Sequence, residues 1–359
     1  MATSIGRQKL GSIILNHKNS MQCLFCRTLL SEADTKLDRF LRQRLFRIDV
    51  LGTAGKASLV EKLNKIQTPA EAKVATYDIV DLIHVAESKT DILLIEKLTE
   101  FISQSDVVDI ENIHLGASVL RLYSYLGLPT EAYALYKNSL CSKFFDDITS
   151  HKILMDFLFK SKQYERVLDV YSGLKSFNID CVTLAMASYY HINSTESHAA
   201  CYKLAHNLMQ EHNLPRRALL YAAMLAINQN KPKDALKILE RCKEYIVILN
   251  MKLICYAKLK NFTALLNTLE YINKKSDDVT QPLSMRLYVD TMNEMQAAFT
   301  ENSTQEELKT FSKLLEDLKP KGVFSKQSVT IFLDRTIPGD VGYAKESGKL
   351  KVVRNLINY

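Results

Sequence analysis

The sequence predicts an all-α fold, a superhelical solenoid of α-α hairpins followed by an irregular basic C-terminal tail. Three observations carry this expectation. The 359-residue chain is 47% hydrophobic with 11 Gly, 7 Pro and no Trp, a composition suited to helices and poor in turn formers. Residues 148–180 read as a helical hairpin: Leu154, Met155 and Leu158 recur at helical spacing, a polar break follows at 160–163, and Val167, Leu168, Val170, Tyr171 and Leu174 form a second apolar face. A hairpin this small cannot bury both faces by itself, and its pattern recurs along the chain, as a stack of like units requires.

The recurrence can be counted. Ala132, Leu135 and Tyr136 precede Val167, Val170 and Tyr171 by 35 residues in every case, and Val119 precedes Leu154 by the same interval. Ala200 with Lys203 and Leu204 follows Val167 by 33, Ala235 with Ile238 and Leu239 follows Ala200 by 35, and Leu265 with Leu269 follows Ala235 by 30. Five second helices thus set a small or aliphatic residue and a larger one, four positions on, over the preceding helix, with a period near 34. Upstream, Thr68, Pro69 and Glu71 form a capping box that starts a helix running to about Glu87, with Tyr77, Val80, Ile83 and His84 along one side. His84 reads as a packed histidine, since no ligand partner stands one turn away. A second helix over residues 91–104 completes that hairpin. The array is assigned to residues 67–275, clearest over 115–275, and capping helices to 276–318.

Charge divides the chain differently. Residues 1–50 hold nine Lys/Arg against four Asp/Glu and residues 319–359 hold eight against three, so of the net +7 the middle retains 7 − 5 − 5 = −3. A slightly acidic array does not attract a polyanion through its overall field, and phosphate contact has to rest on local side chains. The first acid is Glu32; before it Arg7, Lys9, Lys18 and Arg27 accompany apolar clusters, the pattern of a mitochondrial import leader, assigned to residues 1–30. Residues 31–66 form a basic helical segment in which Lys36, Arg39, Arg42, Arg44 and Arg47 surround Leu37, Phe40, Leu41 and Leu45. Residues 319–359, punctuated by Pro320, Gly322, Pro338, Gly339, Gly342 and Gly348, read as the basic tail, with a short hairpin at the Gly348 turn. No run of 18 apolar residues occurs, so no membrane span is expected.

No catalytic or metal-binding pattern has a usable spacing. Cys23 and Cys26 form one CxxC with no second pair. The stretch GTAGKAS at 52–58 lacks the four residues between glycines, and the Ser or Thr after Lys56, that a phosphate loop needs. His206, Glu211 and His212 miss the metallopeptidase spacing, and His198, Cys201 and His206 share a helix as packing residues. The seven Cys are odd in number, and Cys141, Cys181, Cys201, Cys242 and Cys255 fall in or beside helices, as reduced, packed thiols do. No enzyme activity, no cofactor and no metal is expected.

The Trp-x-x-Leu-Gly-x-x-Tyr pattern of tetratricopeptide repeats is absent. The stretch SHKILMDFLFKSKQYERVLDVYSGLKSFNID instead resembles a pentatricopeptide unit, with ILMDFLFK as first helix, YERVLDVYSGLK as second, and Ile179 and Asp180 near the unit's usual closing Ile-Lys-Pro-Asp. The Pro is missing, and Lys162 stands where Gly is usual. With RRALLYAAMLAINQN at 216–230, the resemblance is strongest over about residues 110–240. It implies single-stranded mitochondrial RNA as partner, alongside other RNA-processing proteins, a matrix location, and a non-catalytic part in RNA maturation that supports the respiratory chain.

The resemblance also implies an inner surface lined by first helices, where one residue early in that helix and another at the unit's end choose a base. Fifteen residues back from each second-helix anchor stand Ala117, Lys152, Ala185, Leu220 and Asn250; Asp147 and Asp180 close units. Ala117, Ala185 and Leu220 carry no hydrogen-bonding group and cannot read a base edge. RNA contact is therefore expected from Lys152, Asp180, Asp147 and Asn250, with stacking on Tyr189, rather than from a base-by-base code. A reading from another class, a protein-binding scaffold for a mitochondrial assembly or ribosome, suits the net-negative middle and the apolar early positions.

Overall fold

The computed structural model describes residues 29–104, 115–211, 215–277 and 285–335. The expected leader up to residue 28, with Cys23 and Cys26, and the expected Gly348 turn lie outside the described residues. The helices are α1 (Glu32–Thr35), α2 (Leu37–Asn64), α3 (Pro69–Val74), α4 (Thr76–Val85), α5 (Lys89–Gln104), α6 (Leu115–Leu126), α7 (Pro129–Lys137), a 3₁₀ turn (Ser139–Phe145), α8 (Ile148–Lys160), α9 (Tyr164–Ser172), α10 (Ile179–Ile192), α11 (Thr195–Gln210), α12 (Arg216–Asn228), α13 (Pro232–Leu239), α14 (Ile246–Lys258), α15 (Phe262–Ser276), α16 (Val289–Asn302), α17 (Gln305–Leu318) and α18 (Val329–Leu333). Among the described residues there is no strand, only a parallel bridge between Leu287 and Phe324.

From α6 onward the helices alternate between two layers. First helices α6, α8, α10, α12, α14 and α16 pack on one another in succession, whereas second helices meet their counterparts closely only at α11 with α13 and α15 with α17. The array therefore curves toward its first helices. The five units from α6 to α15 turn from first to second helix in the same way: Gly127, Lys162, Asn193, Asn230 and Lys260 all have positive φ, between 52° and 71°. In four of these turns the next N–H reaches back five residues, from Leu128 to Tyr123 (3.0 Å), Gln163 to Leu158 (2.9 Å), Lys231 to Ala226 (2.8 Å) and Asn261 to Tyr256 (2.9 Å), which satisfies the helix's final carbonyls. Lys162 thus holds the left-handed backbone that Gly would supply at no cost.

Three sequence expectations shift by a residue or a turn. The buried stripe of α11 contains Cys201, Ala205 and Leu208, while Ala200 and Lys203 are exposed. The unit's anchor is Cys201, and the intervals from Val167 to Cys201 to Ala235 become 34 and 34. Two adjacent small residues hid the slip, since either one suits a close helix contact. The helix expected from 69 to 87 is two helices, because Ala75 leaves helical geometry at φ −86°, ψ 13°. That break resets the phase: Ile79, Leu82 and Ile83 are buried and Tyr77 is 69% exposed.

The third shift concerns the basic segment, where Arg44 is only 3% exposed. Its Nη1 donates to the His84 carbonyl (2.7 Å), its Nη2 to Glu87 (3.2 Å), and its guanidinium lies 4.6 Å from the Tyr125 ring centre. The guanidinium ties α2 to α4 and is withdrawn from the surface. His84 beside it stacks on Phe40 at 4.8 Å and donates Nδ1–H to Val80 (2.8 Å), leaving Nε2 buried without a partner. Burial holds the ring below its ordinary pKa of 6.5. The unfolded chain takes up a proton near that pH which the folded chain refuses, so stability is present above it and falls as pH drops through it. His84→Phe keeps the stack and removes the orphaned nitrogen. Its melting temperature is expected to decline less between pH 7.5 and pH 5.5 than the wild type's; an identical decline would assign the acid sensitivity to other groups.

Most consequential is what covers the first helices. Residues 181–188 of α10, 218–227 of α12 and 246–251 of α14 are buried around the whole helix circumference. Second helices account for one side, and the chain's own ends account for much of the other. Leu29 and Leu30 are 1% exposed; the Leu30 N–H donates to the buried Asp156 of α8 (3.3 Å), and Arg121 of α6 donates to the Thr35 carbonyl (2.7 Å). At the far end, residues 323–335 form a strap that lays α18 against α12 and α14. Arg217 donates to the carbonyls of Phe332 (2.8 Å), Leu333 and Arg335 (2.7 Å), and the Tyr221 hydroxyl to Leu333 (2.5 Å). Asp290 accepts the Val329 N–H at 2.9 Å, and the strap bonds to the segment leading into α16 through Leu287 with Val323 and Val289 with Gln327. Val323, Val329, Phe332 and Leu333 of the strap are buried.

Candidate nucleic-acid interface

The five expected contact residues do not converge. Lys152 and Asp180 are brought together, Nζ to Oδ2 at 3.2 Å, with side chains 20% and 29% exposed. They form an ion pair between α8 and the start of α10, so the lysine's charge is already matched. Asp147 is the N-cap of α8: Oδ1 accepts the Ser150 N–H (3.0 Å) and Oδ2 the Ser150 hydroxyl. Asn250 is fully buried, donating Nδ2–H to Ile246 and Arg286 (both 2.8 Å) and accepting the Tyr288 N–H (2.9 Å), which spends its amide on holding the chain that leads into α16. Tyr189 is half-buried on α10, and burial raises its hydroxyl pKa. Ala117, Ala185 and Leu220 are fully buried, in keeping with their lack of any base-reading group.

Other residues do gather along one edge. Successive first helices lie side by side in one layer, so their C-terminal turns line a single edge of the array. That edge carries Lys162, Lys231 and Lys260, all exposed and none in an ion pair among the described residues. Lys260 donates to Asn302 (2.7 Å) and Lys231 lies 3.2 Å from His198 Nδ1. Between Lys162 and Lys231 the Tyr164 and His191 rings stack at 5.0 Å with a 10° interplanar angle, partly exposed, with Phe159 packed beneath both. Sequence reasoning passed over these residues because each lysine sits in a turn, where a charge is ordinarily just solvated. The recurring signal was a Lys or Asn at the link between helices.

The opposite edge has another character. Lys152 pairs with Asp180 and Lys175 with Asp146, while Lys143 of the 3₁₀ turn is exposed beside them. Leu140, Phe177 and Ile179 are about half exposed on the same loops, at 50%, 52% and 51%. On the first-helix side, the opening between α12, α14 and α16 is lined by Asn228, Lys258, Asp290, Asn293 and Glu294, with Lys258 and Glu294 3.5 Å apart. Among the described residues no group of three His, Cys, Asp or Glu is placed to hold a metal, and no helix is long and apolar enough to cross a membrane. The thiols of Cys181, Cys201 and Cys255 are pushed up to about 12 by burial, so they serve as apolar packing and not as nucleophiles.

Two layers of helical hairpins with a period near 34, joined by left-handed turns, define a helical-repeat protein. The resemblance to pentatricopeptide repeats extends beyond a single unit, to proteins that carry that name. It is 29% identical over 254 residues to pentatricopeptide repeat-containing protein 2, mitochondrial, of Pongo abelii, covering 68% of this chain and 65% of that protein. With the protein of that name from Homo sapiens it shares 28% over 253 residues (68% and 64%), and with that from Danio rerio 27% over 219 residues (57% and 54%). The match thus spans just under two thirds of the length of the first two relatives. No family model matches the chain.

Proposed function

We propose that the chain is a mitochondrial, non-catalytic RNA-binding protein that acts in RNA maturation or processing in the matrix and so supports respiratory-chain function. The observation that carries this reading is the similarity over 68% of the chain to proteins named mitochondrial and pentatricopeptide repeat-containing. An edge with exposed lysines and a partly exposed aromatic stack supports it, since single strands are held by phosphate contacts and base stacking. Of the residues singled out from sequence, Tyr189 keeps a partly exposed side chain for this role, Lys152 has its charge matched by Asp180, and Asp147 and Asn250 support the fold around them.

Crosslinking and immunoprecipitation from purified mitochondria is expected to recover one or a few defined transcripts together with RNA-processing proteins. Recovery of proteins alone, with RNA at background, would favour a second reading, a protein-binding scaffold for a mitochondrial assembly or ribosome. The exposed Leu140, Phe177 and Ile179, on the edge that carries the Lys152–Asp180 and Lys175–Asp146 pairs, are what favour that alternative.

A further inference from the structure

We infer that single-stranded RNA follows the turn edge marked by Lys162, Lys231 and Lys260, and not the first-helix face, which the chain's own end segments close. This rests on the RNA reading and assigns it a surface. The closure is geometric. Leu29, Leu30 and the Thr35 carbonyl are fixed to α6 and α8, and the strap is held to α12 by Arg217 and Tyr221. The ground beneath is apolar around the helix circumference, so a phosphate backbone could not replace the strap without leaving Phe332, Leu333 and the α12 surface in water. What remains open between α12, α14 and α16 is lined by Asp290 and Glu294 against one lysine, which opposes a polyanion.

The turn edge is what is left, and two features mark it. The first is the contrast in pairing. On the loop edge Lys152 and Lys175 face Asp180 and Asp146, whereas the turn lysines make no ion pair among the described residues, and an unmatched cation is what a phosphate can use. The second is backbone strain. Lys162 and Lys260 sit at φ 58° and 56°, a region that favours Gly or Asn, and the equivalent turns have Asn193 and Asn230. A lysine kept where Asn would relax the chain points to a use for its charge. Lysine at a helix C-terminus also complements the helix dipole, so position alone does not decide, and the partly exposed Tyr164–His191 stack on the same edge, its imidazole 3.7 Å from Asp334, supplies the second contact that a nucleobase needs.

At Lys162 and Lys260 strain makes the test clean, because the substitution that removes charge also suits the backbone. The turn variant Lys162→Asn/Lys231→Gln/Lys260→Asn is compared with the loop-edge variant Lys143→Gln/Lys152→Gln/Lys175→Gln, each lowering the charge of the full chain equally. Binding of a fluorescein-labelled 20-nucleotide uridine oligomer is followed by anisotropy across a salt series. The turn variant is expected to melt at or above the wild-type temperature, to bind about tenfold or more weakly, and to lose roughly 2 from the slope of log Kd against log salt, about 0.7 per phosphate contact. The loop-edge variant is expected to bind within about twofold of wild type. Equal binding by the turn variant, or a larger loss in the loop-edge variant, would overturn the turn track while leaving the RNA reading in place. A wild-type chain that binds the oligomer at no salt concentration would overturn the RNA reading itself.

Discussion

Arg217→Ala is expected to lower stability by about 2–4 kcal/mol, the scale for removing a charged donor from several buried acceptors at once. The loss has a specific origin. One guanidinium donates to the carbonyls of Phe332, Leu333 and Arg335 at the end of α18, and lies 5.0 Å from the Phe332 ring centre. Without it those carbonyls end a helix beside apolar α12 with the Tyr221 hydroxyl as the remaining donor to Leu333. Denaturant melts should show the lower midpoint, and amide exchange should rise first in residues 323–335. Lys at the same position is expected to recover only part of the loss, since an ammonium can donate to the carbonyls that Nη2 meets but forfeits the planar guanidinium's packing on the Phe332 ring. If exchange in the strap stays at the wild-type rate, another contact holds it.

Gly116→Ala is expected to cost about 2 kcal/mol, in the range for forcing atoms into a packed interior. Gly116 opens α6 where that helix crosses the 3₁₀ turn. A Cβ there would run into the Phe144 carbonyl oxygen and lie 3.0 Å from Ser150 Oγ and 3.2 Å from the Phe145 ring. None of these neighbours can swing away: Phe144 contributes backbone, and Ser150 is engaged with the N-cap Asp147. The expected readout is a fall in melting temperature of several degrees at unchanged helix content. A variant as stable as wild type would show that the turn after α7 yields.

The fold was legible in the sequence to a large degree because solenoid units repeat their own evidence. Val167, Ala235 and Leu265 were each found as anchors, and all three are buried against the preceding helix. Ala200 failed because a period of 34 leaves a one-residue ambiguity where both neighbours are small. The continuous helix over 69–87 failed because nothing in Val74–Ala75–Thr76 announces a break. Arg44 was grouped with the basic residues around the 31–66 spine because a charge alone does not reveal that a carbonyl and a tyrosine ring are waiting for it.

The candidate site was much less legible, and the reason is tertiary. Lys152 and Asp180 lie 28 residues apart and could not be recognised as partners from spacing. Asn250 looked like a polar residue at a reading position, yet its amide is consumed by Arg286 and Tyr288, beyond the reach of any local pattern. One signal was available and not used. The first helices IDCVTLAMASYYHI, RRALLYAAMLAIN and IVILNMKLICYAK are apolar nearly all round, whereas a helix that lines an open RNA groove needs one polar face. An all-round apolar helix has to be covered on both sides, and the end segments from residue 29 and over 323–335 do much of the covering.

The account turns on where a single strand meets this chain, and amide hydrogen exchange of the full-length protein with and without a saturating 20-nucleotide uridine oligomer tests it most directly. Protection is expected to increase over residues 160–166, 190–194, 228–233 and 258–262, with the strap over 323–335 unchanged. Protection of α12 and α14 together with faster exchange in 323–335 would contradict it, since that result would mean the strap leaves and the first-helix face takes up the RNA.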